Sequence, residues 1–170
     1  MRSQVLHLVC LLILFFSVPS CAPKTPESPP KTQLEIREFQ TRTFSTPNVR
    51  LVMKSMLNVL QDEGYIVKNV ALDLGFLTAS KEEDIEKSSD RFWIGLAAGK
   101  EARWIKHKIT EATCNVTEFG NQTRVRVNFQ EKIMDNHGAV VTIKQITDEH
   151  FYRDFFLKVD KGIFIQEQNI

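Results

Sequence analysis

Acid–base or nucleophilic chemistry in this chain would have to come from His107, His137 or His150, from Cys114, or from the carboxylate pairs Glu82-Glu83 and Asp148-Glu149. A catalytic triad needs a base within reach of a Ser or Cys, and none of these histidines lies in a G-x-S-x-G or H-E-x-x-H context. They fall at a basic strand start, in a turn and in the first turn of a helix, where solvated histidines are usual. The carboxylate pairs belong to a charge run and to a helix cap, and solvation or the helix dipole accounts for them. There is no Gly-rich phosphate loop, and neither a cofactor nor a metal site is indicated. Cys114 has neither a disulfide partner nor zinc-like spacing, and its Thr, Asn and Val neighbours read as a strand in which it is buried and inert. The expectation is a protein that is not an enzyme.

The stretch Val5 to Cys21 says more. Arg2 precedes it, the positions from Val5 to Val18 are apolar except for His7 and Ser17, and it closes on Pro19, Ser20 and Cys21. A basic start, a short apolar centre and small residues at the cut are the parts of a secretory signal, and the centre is too short for a permanent span. Val18-Pro19-Ser20-Cys21 resembles the lipobox of bacterial lipoproteins, with Pro19 an unusual occupant of its tolerant position. The resemblance implies a signal over residues 1–20, a lipid on Cys21, and, because Ala22 rather than Asp follows, an anchor in the outer membrane at its periplasmic face. The competing reading is an ordinary signal cut near Ser20, with Cys21 incidental. After Cys21 comes APKTPESPPKTQ, whose prolines and lack of large apolar residues suit an extended tether, so residues 21–33 read as lipidated cysteine plus spacer.

What remains, residues 34–170, has the size of one domain. Apolar content of 42% and charged content of 25% are those of a globular protein. Removing Arg2 with the signal takes Lys plus Arg from 22 to 21, against 21 Asp plus Glu, so the mature chain is formally neutral. That gives no electrostatic footprint for nucleic acid. Asn115-Val116-Thr117 and Asn121-Gln122-Thr123 are sequons that a bacterial anchor makes coincidental.

The elements follow from periodicity. Leu34 to Phe44 alternates loosely and predicts a half-exposed first strand. Thr46-Pro47 predicts a helix start, and Val49, Val52, Met53, Met56, Leu57 and Leu60 form one apolar helical face ended by Gly64. Tyr65–Leu72 and Phe76–Ser80 predict two strands joined through Asp73-Leu74-Gly75. Ile109–Phe119, Thr123–Met134 and Ala139–Ile146 predict three more, with turns at 119–122 and 135–138. In the second of these, Val125, Val127 and Phe129 alternate with Arg124, Arg126, Asn128 and Gln130, so Arg124 and Arg126 share a wet face, read as a soluble surface in preference to an anion site. Thr147 with Asp148 and Glu149 predicts a capped last helix whose stripe is Phe151, Phe155, Val159 and Ile163, flanked by Tyr152 and Phe156.

LVMKSMLNVLQDEGYIVKNVALDLGFLTASK, with Gly64-Tyr65, Asp73, Gly75, Leu77 and Ala79, together with the ending ITDEHFYRDFFLKVDKGIFI, resembles a poorly characterised group of proteobacterial outer-membrane lipoproteins. The former stretch is more distantly similar to the repeated domains of the C-subunit lipoprotein of the β-barrel assembly machinery. The resemblance implies an α+β architecture, a curved antiparallel sheet of about five to six strands gripping two main helices. Residues 82–105 stand outside the pattern as a variable insertion. They run from a charge cluster through Phe92-Trp93-Ile94-Gly95-Leu96-Ala97-Ala98 to GKEARW. Either this run packs on the sheet as a crossover, or Phe92, Trp93, Ile94 and Leu96 form an exposed surface that docks on a partner or dips into the bilayer. Gly95 and Gly99 lower helix propensity and favour an irregular path.

Two functions from different classes are consistent with this. One is a non-enzymatic interaction or accessory module of the bacterial envelope, bound to the membrane through Cys21 and to an envelope protein through its body. The other is a carrier holding a lipid or other apolar ligand between sheet and helices. A core filled by Met53, Met56, Phe151 and Phe155 favours the first, whereas a closed apolar cavity of about 300 Å³ or more favours the second.

Overall fold

The computed structural model describes residues 31–168. The signal, Cys21 and most of the tether lie outside the described residues. The elements, in order, are α1 (Gln33–Phe39), β1 (Thr41–Phe44), α2 (Val49–Asp62), β2 (Ile66–Ala71), β3 (Phe76–Asp84), α3 (Ser88–Ala98), β4 (Ile105–Phe119), β5 (Gln122–Asp135), β6 (Val140–Gln145) and α4 (Glu149–Glu167). The fold is α+β, with an open, wholly antiparallel six-stranded sheet.

Four of the six strands lie in chain order as β2-β3-β4-β5, with short turns joining β2 to β3 and β4 to β5, while the longer segment 85–104, which contains α3, connects β3 to its antiparallel neighbour β4. β2 and β3 are joined through Leu72–Leu74, where Gly75 takes φ +60°. A Cβ there would sit 1.9 Å from the Val116 carbonyl oxygen, so glycine is required by crowding as well as by φ. The remaining edge of β5 is shared: β1 pairs with Thr123–Arg126, and β6 pairs with Gln130–Met134.

One sheet face is core. Leu77 and Ala79 of β3, Ala112, Cys114 and Val116 of β4, and Val125, Val127 and Phe129 of β5 meet Val52, Met53, Met56, Val59 and Leu60 of α2 and Tyr152, Phe155, Phe156, Val159 and Ile163 of α4. Phe129 is at the centre of the aromatic packing, with Tyr152, Phe155 and Phe151 edge-on at 5.5, 5.2 and 4.8 Å between centroids. The apolar stripes expected for α2 and α4 are those that are buried, with Val59 added and Val49, Leu57 and Phe151 only half-buried.

The first strand is corrected. Residues 33–39 are helical, and only Thr41–Phe44 is extended. The alternation over Leu34–Phe44 is incidental, since Ile36 is the one buried residue of α1. The overlooked signal was Thr32-x-x-Glu35, a capping box: the Thr32 amide donates to Glu35 at 2.6 Å, and the Glu35 amide donates back to the Thr32 hydroxyl. That hydrogen bonding holds the Glu35 carboxyl below its ordinary range. Two further caps shift by one or two residues. Asn48, not Thr46, caps α2 by accepting from the Leu51 amide, and Asp148, not Thr147, caps α4. Thr46 is instead buried, its carbonyl accepting from the Thr123 hydroxyl at 2.7 Å.

Candidate functional site

The segment between β3 and β4 is helical, against the irregular path expected from Gly95 and Gly99. α3 runs Ser88–Ala98, and Gly99 stops it at φ +59°. Gly95 faces open space, so its cost in helix propensity is not compounded by strain. Phe92, Trp93 and Leu96 are 63, 66 and 72% exposed, and Ile94 is half-buried. Spaced i, i+1 and i+4, the first three share one side of the helix. The Phe92 and Trp93 rings meet edge-on at 5.2 Å.

What positions this helix is a polar clasp made across more than thirty residues of sequence. The turn after β5 grips the chain that returns from α3. Asp135, 5% exposed, accepts from the amides of His137 and Ala139 at 2.9 and 2.8 Å and from Arg103 at 2.7 Å. The Ala139 amide, then Arg103 and the His137 amide, hold its carboxyl below the usual range against the opposing effect of burial. Asn136 donates to the Ala102 carbonyl at 3.1 Å, accepts from the Trp104 amide at 3.1 Å, and through its own amide reaches the Trp104 carbonyl. At the other end the Ile85 amide donates to the Lys106 carbonyl at 2.8 Å. Sequence spacing marked Asp135–Gly138 as a turn, but carried no sign that it held residues 102–104.

Two surface clefts flank the core. One of about 320 Å³ lies where β3–β5 run past the helices, over a floor of Tyr65, Phe129, Phe151 and Phe155. Its walls are charged and largely self-paired. Glu83 takes Lys108 at 2.7 Å and Lys81 at 3.5 Å, and Lys158 reaches Glu63. Lys108 above all holds Glu83 below the usual carboxylate range. Burial, reinforced by Glu83, Glu63 and Glu131, pushes the Tyr65 hydroxyl up to about 12. The other cleft, about 430 Å³, is bounded by Lys31, Glu35, Glu38, Arg42 and Arg153 with Phe39 and Phe156.

Among the described residues no group of three His, Cys, Asp or Glu side chains could share a metal ion, and no helix is long and apolar enough to cross a membrane. His107 pairs with Glu82 at 3.3 Å, His137 lies 3.3 Å from the Ala102 carbonyl, and His150 contacts Arg153. Cys114 is fully buried, and desolvation pushes its thiol up to about 12, far from a thiolate nucleophile.

No protein-family model matches the chain, and no curated protein matches it. Among solved structures it is similar to a DUF4468 family protein from Bacteroides ovatus ATCC 8483, at 12% identity and a TM-score of 0.39 over 79% of this chain and 89% of that one, a likeness too distant to carry a function.

Proposed function

We propose that this is a lipoprotein of the outer membrane, held at its periplasmic face through a lipid on Cys21, whose helix-grip-like body is a non-enzymatic interaction module presenting α3 to an envelope protein. The single observation that supports it is the exposure of Phe92, Trp93 and Leu96 on one side of a helix whose base is clasped by Asp135 and Asn136. Exposed aromatic side chains on a fixed element resemble the anchors that dominate protein interfaces, where truncating a central Trp costs about 2 kcal/mol or more. Against the carrier reading, the space between sheet and helices is filled by Met53, Met56, Leu60, Phe129 and Tyr152, all buried, and both clefts are walled by charges rather than closed and apolar.

The test is photocrosslinking from position 93 in intact cells. Capture of a discrete envelope protein, lost in the triple variant Phe92→Ser, Trp93→Ser, Leu96→Ser, supports the module. Capture of lipid alone, or of the same proteins by the triple variant, defeats it.

A further inference from the structure

The face of the sheet opposite the core carries a second feature, which does not draw on α3. Arg124 and Arg126 point from alternate positions of β5 to this face, about 7 Å apart along the strand. Cross-strand register sets each between neutral hydrogen-bonding neighbours: Thr43, Arg124 and Thr117 form one row, and Thr41, Arg126 and Asn115 the next. Thr43, Asn115, Thr117 and Arg126 are exposed. The guanidinium of Arg124 lies over the Phe119 ring, 3.5 Å from its centroid, which orients its fork.

Neither arginine has an ion-pair partner among the described residues. Lys132, on the same face of β5, is matched by Glu111 at 2.7 Å. Glu111 is also the one carboxylate that β4 and β5 place on this face, and its register with Gln130 sets it two rows beyond Arg126. Two uncompensated guanidinium groups are thus aligned on a surface of hydroxyl and amide groups.

We infer that this face binds a phosphomonoester. A carboxylate offers two oxygens and is satisfied by one guanidinium fork, whereas a phosphomonoester carries close to two charges and three acceptor oxygens, enough for both forks together with a Thr hydroxyl or the Asn115 amide. The ester is either a soluble metabolite or the headgroup of a membrane lipid, and both present the same oxygens.

The experiment is calorimetric titration of the full chain in neutral detergent with phenyl phosphate, and separately its flotation with phosphatidylcholine vesicles with and without phosphatidic acid. Binding of phenyl phosphate should weaken about tenfold in Arg124→Ala and again in Arg126→Ala, since each removes one set of charge-assisted hydrogen bonds to the phosphate oxygens. It should also weaken below pH about 6, as the second phosphate proton returns, and benzoate should bind far less well. Binding of phenyl phosphate without added flotation on phosphatidic acid identifies a soluble ester, and selective flotation identifies the headgroup. The inference is overturned if neither probe binds, if the double Ala variant binds both as well as the parent, or if benzoate matches phenyl phosphate.

Discussion

At the scale of single residues, Tyr152 does what no local pattern could announce. Its hydroxyl sits in the gap between β1 and β6 on the edge of β5, where it accepts from the Phe129 amide at 3.1 Å and from Gln40 at 3.2 Å and donates to the Ile146 carbonyl at 3.1 Å. Tyr152→Phe keeps the ring packing but leaves a buried amide and a part-buried carbonyl without this partner. We expect a loss of about 1–3 kcal/mol in urea denaturation with the fold retained. An unchanged midpoint would remove Tyr152 from this role. Cys114 and Tyr65 set an alkaline limit. Their ordinary values of 9.0 and 10.0 are raised to about 12, so the folded state holds both protons after the unfolded chain has begun to lose them. Their contribution is intact below pH about 9 and falls away as pH rises toward 12. Denaturation midpoints should therefore be flat to pH about 9 and then decline. Maleimide should label Cys114 only after unfolding.

At the scale of elements, glycines separate turns that are required from those that are tolerated. Gly75→Ala meets the Val116 carbonyl oxygen in a left-handed conformation, and we expect a loss of about 2 kcal/mol or more, or failure to fold. Gly95→Ala meets nothing and should firm α3 by roughly 0.5–1 kcal/mol, seen as slower amide exchange over residues 88–98. Removing the clasp has the opposite effect. Asp135→Ala should speed exchange and proteolysis within residues 85–104 while the exchange-protected core of α2 and β4 is unaltered. Because the Asp135 carboxyl is held below its ordinary 3.8, the clasp is complete above that value and is lost as pH falls through the lowered one. Acid should therefore loosen α3 in the parent and leave the Asp135→Ala variant little changed. The helix α1 was hidden at this scale because its capping box lay across the presumed end of the tether, while the alternation of its side chains imitated a strand.

At the scale of the whole molecule, the proposed address rests on Cys21. Cys21→Ser should yield a soluble or unprocessed protein with the same thermal midpoint, since the body has its own core over α2, α4 and the sheet. If that variant is cut normally and still fractionates with the outer membrane, the anchor is wrong. What the amino-acid sequence determined by itself was local. The apolar stripes of α2 and α4, the turn at Gly75 and the alternation in β5 depend on residues a few positions apart, because helix and strand periods are short. Tertiary structure alone decided which distant groups meet. It brought Gln40, Phe129, Ile146 and Tyr152 together in the gap on the edge of β5, and closed the clasp of Asp135 and Asn136 on residues 102–104. It also left Phe92, Trp93 and Leu96 facing solvent, although the run read by itself favoured packing on the sheet. An apolar side chain is buried or exposed according to what folds over it, and that partner is fixed by strand order and register, which contacts remote in sequence impose.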